Sequence, residues 1–520
     1  MNLRRRRAVA AVLGLAALAL AGCTSTVSGH GTATASAPAA SSSANVPTHQ
    51  ISYTDCKTRL NVDAYGIPAS RLSHLSFQCG TLAVPLDYAD PTGTTIDIVF
   101  LKVHDDRNTT GDSLMMNPGG PGGSGISLAL GLTPALSDGI LANFDLIGFD
   151  PRGVGESSPI NCVSDADKDK LFAAFPDVRT NAGFTQAKSL ATEVASACET
   201  KYGSALADYD TEQTARDMEQ LRIALGNRPL NYLGFSYGTE LGAAYAHLFP
   251  NSIRVAVLDG AVDPLTSDIS QFADQLGGFE SAFDQFQQDC LTRSPCKSLG
   301  SPRQVVYQLV RKAIIAPIPN SNTADPRKAT GALILTGVLQ ALYSQSEWPD
   351  LGTALLSAQQ GDSKGLLALA DEYNERNSDG TYTNIYDANT TISCNDSKPG
   401  PTDATVRSTA QQWATKYPMF GVWSAGSLFS CQSWQPRRTP PPLPSAATPN
   451  KVLVIGNLHD PATPYQGAKD LTHTLGNAEL LTWNGEGHTS YLQGSSCIDN
   501  YVNSYLIAGS LPPANTTCPR

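Results

Sequence analysis

Leu230-Asn231-Tyr232-Leu233-Gly234-Phe235-Ser236-Tyr237-Gly238 is the stretch that decides the fold. Its first six residues form a short apolar run of strand character, and a helical pattern over 239–248 begins directly after Gly238. A G-x-S-x-G in that setting is a sharp strand-to-helix turn. The glycines leave room for a strained backbone, and the turn lifts the serine hydroxyl clear of the sheet. The amides and positive dipole end at the start of the helix then face any negative charge that develops beside Ser236. The bland alternative is a Gly/Ser turn with no chemistry. The strand before it and the helix after it favour a nucleophile.

Outward from this turn, apolar runs with β-branched or aromatic content recur at 96–103 (IDIVFLKV), 113–116, 144–149, 230–235, 253–258, 451–455 and 479–483. Helical patterns such as 214–225 and 239–248 lie between several of them. That alternation predicts an α/β fold, a mostly parallel central sheet covered by helices on both faces. From about residue 266 to 450 the strand signal disappears, and helical pieces at 279–290, 305–314, 331–343 and 351–360 replace it. The Pro-rich stretch 435–449 reads as a return linker. The expected organisation is a core formed by 50–265 and 451–520, with 266–450 inserted as a helical cap and linker.

A nucleophilic serine needs a base, and the chain has eight histidines. His30 and His49 lie near the N-terminus, His74 and His104 precede the core, and His247 falls in the helix after the turn. In this architecture the order is serine, acid, histidine, with the base beyond the last core strand. His488, in the glycine-rich Asn484-Gly485-Glu486-Gly487-His488, meets that requirement. His473 reads as a helix surface residue and His459 as a loop residue beside the acid. The acid is expected after the strand Val452-Leu453-Val454-Ile455, where Asp460 stands; Asp470, in the following helix, is its competitor. Asp460 would orient the imidazole through its second nitrogen and stabilise the imidazolium formed during attack. The run Asn117-Pro118-Gly119-Gly120-Pro121-Gly122-Gly123-Ser124-Gly125 follows another strand. It lets the backbone approach a reacting carbonyl and supply an N–H, so Gly120 and Tyr237 are the expected oxyanion donors. Phosphate binding is disfavoured there, because no Lys-Ser/Thr follows the glycines.

Taken together, Gly119-Gly120-Pro121-Gly122, Asp150-Pro151-Arg152-Gly153-Val154-Gly155-Glu156-Ser157, Gly234-Phe235-Ser236-Tyr237-Gly238-Thr239 and Asp460-Pro461-Ala462-Thr463-Pro464 resemble the α/β-hydrolase aminopeptidases. Within them, the chain is similar to the actinobacterial tripeptidyl-aminopeptidase-like exported enzymes, which are related to proline iminopeptidases. The likeness spans roughly residues 50–520 and includes Cys394-Asn395-Asp396. The leader and the length are similar to mycobacterial cell-envelope serine protease lipoproteins. The resemblance implies an α/β-hydrolase fold with an inserted helical cap, Ser236 as nucleophile, Asp460 as acid, His488 as base, and Gly120 and Tyr237 as oxyanion donors. It also implies a structural part for Arg152. In proline iminopeptidases acids of the cap hold the substrate amine; no acid of this chain is matched to them.

The ends and the composition fix the expected compartment. Arg4 to Arg7 precede the apolar run 8–21, about the length of a signal h-region and too short for an ordinary membrane span. Leu20-Ala21-Gly22-Cys23 resembles a bacterial lipoprotein box, which makes 1–22 a lipoprotein signal peptide and Cys23 a lipidation site that anchors the chain to the outer face of the cell membrane. Residues 24–49 carry no Asp, Glu, Lys or Arg, so 23–49 reads as a flexible tether. The other ten of the eleven cysteines suit an exported, disulfide-bonded chain, with pairing of sequence neighbours the simplest connectivity. No Cys-x-x-Cys with histidine partners is present, so neither a metal nor a cofactor is expected. A formal charge of −11 argues against nucleic acid as a partner. The expected activity is that of an exported serine hydrolase acting on a peptide or protein substrate and removing short N-terminal peptides. An esterase or lipase of the same fold, and a catalytically silent envelope lipoprotein, are the alternatives.

Overall fold

The computed structural model describes residues 51–263, 265–435 and 448–520. The signal segment, the tether, Cys23 and most of the expected return linker lie outside the described residues. Ten strands form one sheet in the order β1-β2-β3-β5-β4-β6-β7-β8-β9-β10. They are β1 Ser52–Asp55, β2 Leu75–Pro85, β3 Thr95–Asp105, β4 Ser113–Asn117, β5 Asp145–Phe149, β6 Leu230–Phe235, β7 Ile253–Asp259, β8 Val452–His459, β9 Ala478–Glu486 and β10 Thr517–Cys518. From β5 through β4 to β10 every pairing is parallel, and β1, β2 and β3 add an antiparallel edge. The central strands are buried along their lengths, as parallel strands covered on both faces must be. Leu233, Phe235, Val257 and Leu453 pack into one face, and Tyr232, Ala256, Leu258 and Val454 into the other.

Strands β1, β2 and β10 have no counterpart among the runs read from the sequence. β2 alternates across the sheet while carrying Gln78, Cys79 and Gly80 in its middle, which hides its periodicity. A disulfide from Cys56, just after β1, to Cys79 in β2 stitches that edge, and Cys497–Cys518 ties the last helix to β10. Cys162–Cys198, Cys290–Cys296 and Cys394–Cys431 complete a set of five disulfides among the described residues, each between sequence neighbours.

Above the carboxyl ends of the parallel strands lies a helical roof. It is built largely from helices between Asp268 and Phe429 around Phe279, Phe283, Phe286, Trp348, Trp413 and Phe420. Two departures from the expected division are physical. The helix Asn181–Tyr202, within the stretch read as core, turns Phe184 and Ala187 into the roof's apolar cluster, with the Phe184 ring edge-on to Phe429 at 4.9 Å. Conversely, Ile385–Asp396, a helix of the roof, inside the stretch read as cap, also buries Ala388 and Ile392 against the sheet side, so roof and floor are joined there. Among the described residues no helix is long and apolar enough to cross a membrane.

Candidate active site

Ser236 sits between β6 and the helix Tyr237–Leu248 with φ 54° and ψ −127°, a conformation that costs a non-glycine residue on the order of 1–3 kcal/mol. The elbow closes because Gly234 has no side chain: a Cβ there would lie 2.4 Å from the Gly238 carbonyl oxygen. Ser236 is nearly buried, at 3% exposure, and its amide donates to the Asp259 carbonyl at 2.9 Å. Gly260, the residue after Asp259, lies so close to His488 that a Cβ on it would stand 3.2 Å from its Cε1. Ser236 and His488 thus flank one two-residue step at the end of β7.

His488 and Asp460 form a dry pair. Nδ1 of His488 meets Asp460 Oδ1 at 2.9 Å and Oδ2 at 3.0 Å, and the two side chains are 1% and 0% exposed. Asp460 also accepts the amides of Ala462 and Thr463 on Oδ1, at 2.9 and 2.8 Å, and of Thr489 on Oδ2, at 2.9 Å. The Thr463 hydroxyl lies 3.3 Å from His488 Nδ1. With its other nitrogen so engaged, Nε2 of His488 is left buried with no hydrogen-bond partner among the described residues. No hydrogen bond joins it to Ser236 in this resting geometry. The roof reaches the base too: the His488 amide donates to the Tyr343 carbonyl at 2.7 Å, and the Tyr343 ring packs edge-on against the imidazole at 5.5 Å.

The glycine loop after β4 lies against the elbow, since a Cβ on Gly119 would be 2.5 Å from the Phe235 carbonyl oxygen and 2.9 Å from the Tyr237 nitrogen. The Gly119 amide is committed to Asn117 Oδ1 at 2.9 Å, which makes Gly120 the next amide available in the loop. Tyr237 is the first residue of its helix, so its N–H has no partner inside the helix. Asn389 of the roof donates to the Pro121 carbonyl at 2.9 Å and pins the loop from above.

His459 ends β8, opposite Glu486 of β9, and His473 stands in the last turn of the helix Tyr465–Leu475. Asp470 accepts from Gln466 at 2.8 Å on the exposed side of that helix. None of the three is drawn into the pair. Arg152 is fully buried and bidentate to Asp217 at 2.7 Å on each arm, with further bonds to the carbonyls of Pro85, Leu86 and Asp208. It ties the loops beneath the site.

Three further carboxyl groups surround the elbow that the sequence reading left without a part. Asp150, at the end of β5, accepts Ser124 Oγ at 2.6 Å and the amides of Ile126 and Glu156; burial pushes it up to about 6 against those bonds. Asp396, at the end of its roof helix, accepts the amide of Thr211 at 3.0 Å and its hydroxyl at 2.6 Å, and that hydroxyl also bonds the Tyr237 phenol. Burial, then Asp210 and Glu240, holds Asp396 well above the usual carboxylate range. Glu240, in the first turn of the elbow helix, is pushed up to about 7 by burial, then by Asp268 and Asp263. Such acids advertise themselves only through their surroundings, which a linear motif does not carry.

A family model described as TAP-like protein matches residues 417–518. Over 466 residues, 85% of this chain and 87% of the other, the chain is 37% identical to serine protease Hip1 of Mycobacterium tuberculosis. It is also 37% identical over 454 residues to carboxylesterase B of the same organism, covering 85% and 86% of the two chains. Tripeptidyl aminopeptidase of Streptomyces lividans is 31% identical over 454 residues, 85% and 83% of the two chains. An elbow serine beneath a roof, a buried Asp–His pair and similarity over most of the chain all agree: the protein belongs to the α/β-hydrolase family of serine hydrolases that includes the Hip1 serine proteases and the tripeptidyl aminopeptidases.

Proposed function

We propose that Ser236, His488 and Asp460 form a catalytic triad that cleaves peptide bonds through an acyl-enzyme. His488 Nε2 takes the proton of Ser236 Oγ as that oxygen attacks the scissile carbonyl, and Asp460 steadies the imidazolium through Nδ1. The amides of Gly120 and Tyr237 stabilise the oxyanion. His488 then returns the proton to the leaving amine, and water releases the acyl group by the same steps in reverse. The observation that carries this reading is the buried pair itself. Its one unpartnered imidazole nitrogen belongs to a histidine that shares the end of β7 with a strained serine.

The substrate we infer is a peptide read from its free N-terminus, with short fragments of two or three residues as products. The roof favours entry of a chain end, and Glu240 and Asp396, buried carboxyls beside the elbow whose values are raised by burial and by neighbouring acids, would ionise more readily against a protonated α-amine. A charge-assisted contact of that kind contributes roughly 1.5–3 kcal/mol, or about one to two decades in rate. Free peptides should therefore be cleaved at least about tenfold faster in kcat/KM than the same peptides N-acetylated. Equal rates would remove amine recognition. Ester hydrolysis is the second reading, favoured by a carboxylesterase at the same identity as the protease; a matched amide and ester panel divides the two.

Export and anchoring through a lipid on Cys23 complete the proposal, on the strength of the leader sequence. Cys23→Ala should shift the protein from the membrane fraction to the medium with turnover per molecule unchanged. Wild-type protein found unmodified in culture fluid would end the lipoprotein reading.

A further inference from the structure

β7 lies between the strand that delivers Ser236 and the strand that delivers Asp460, and Asp259 is its last residue. The Asp259 side chain is fully buried. Its backbone carbonyl accepts the Ser236 amide, while its Oδ2 accepts the amides of Ser490 at 3.0 Å and Tyr491 at 2.7 Å, the second and third residues after His488. Among the described residues, Asp259 Oδ1 has no hydrogen-bond partner, nor have the buried hydroxyls of Thr489 and Ser490. A carboxylate held this deep, with two amides as its only hydrogen-bond donors among the described residues, is costly for folding. It touches both the turn of Ser236 and the turn after His488.

We propose that Asp259 is a positioning residue for the proposed triad: its carboxylate clamps the turn that follows His488 while its carbonyl clamps Ser236, so that one strand end sets the approach of base to nucleophile. This rests on the triad reading. The charged and titratable groups facing Asp259 are Asp460, from the loop after β8, and His488, from the loop after β9. Burial pushes the Asp259 carboxyl up to about 6; Asp460 adds to the rise, while the two amides and His488 oppose it. Below that pH the clamp takes up a proton and its two bonds lose their charge assistance. Protonation of the clamp then contributes to acid inactivation.

The test uses the full chain, a tripeptide aminomethylcoumarin substrate with a free N-terminus, and a fluorophosphonate to count reactive serines, so that kcat is expressed per labelled site. Asp259→Ala should lower kcat by roughly tenfold to a hundredfold with KM within about threefold, as a misplaced base would. Asp259→Asn retains an acceptor oxygen for the two amides but, like the protonated acid, no charge, and should recover only part of that loss at pH 8. Its log kcat/KM should fall less steeply below pH 6 than that of the wild type. An unchanged kcat per labelled site in Asp259→Ala, or identical acid slopes in wild type and Asp259→Asn, overturns the proposal. Should Asp259→Ala not fold, the slope comparison decides alone. Turnover retained by Ser236→Ala would instead overturn the triad reading, whatever Asp259 does.

Discussion

The loops at the carboxyl ends of the parallel strands and the helices above them enclose the same serine and histidine, but they are held in different ways. Below, buried carboxylates gather backbone amides: Asp460 takes three, Asp259 two and Asp150 two. Above, aromatic and aliphatic packing makes the roof, which meets the site through scattered bonds, among them Tyr343 to His488, Asn389 to the glycine loop and Gln275 to the Ala462 carbonyl. Directional bonds to charge fix atoms to tenths of an ångström and respond to pH. Apolar packing is non-directional and does not. On the proposed reading, chemistry belongs to the floor, and the roof contributes enclosure and a few points of alignment.

The largest break in that comparison comes from the floor. Ser236→Ala and His488→Ala should each lower kcat by about six orders of magnitude, and the double variant should be little worse than either single, because the residues act as a unit. Asp460→Asn should lose about four, through the wrong imidazole tautomer. Near-normal turnover in any correctly folded member of this set removes that residue from the triad.

A smaller effect is expected where the roof touches the base. Gly487 has φ +105°, and a Cβ on it would lie 2.8 Å from the Tyr343 carbonyl oxygen that holds the His488 amide. Gly487→Ala should push the base's loop off the roof and lower kcat by roughly tenfold to a hundredfold. A loss as large as that of His488→Ala would show that the roof does more than align.

The same contrast explains what the sequence made legible. The strand-to-helix turn at Ser236 and the places of Asp460 and His488 after their strands could be read because their geometry is local: a strand, a turn, a residue at the strand's end. The parallel strands were visible as apolar runs, being buried on both faces. β2, with its polar centre, and the two-residue β10 lacked that signal. The helix Asn181–Tyr202 reads as an ordinary amphipathic helix, and nothing in its own residues tells whether its apolar face meets the sheet or the roof. Asp259 ends its strand in Val257-Leu258-Asp259-Gly260 as any turn aspartate would. Its two amide donors lie more than two hundred residues away in the chain. Long-range partners of that kind leave no local pattern.

The smallest expected effect separates the two regions by pH rather than by rate. A carboxyl whose native value is raised gives stability that is full below the ordinary value near 4 and is lost as pH rises through about 6. For Asp259 the loss by pH 8 is on the order of 3 kcal/mol. Asp259→Asn carries no charge to desolvate, and the oxygen it gives up, Oδ1, has no hydrogen-bond partner among the described residues. It should therefore melt a few degrees above the wild type at pH 8 and level with it at pH 4. Phe283, wholly buried in the roof, supplies the contrast. Phe283→Ala removes packing alone, about 3–5 kcal/mol, and should lower the melting temperature equally at both pH values. Calorimetry of the two variants at pH 4 and pH 8 measures both. A pH-independent change in Asp259→Asn would mean that the carboxyl keeps its ordinary value in the native protein, its charge held as well by the two amides as by water.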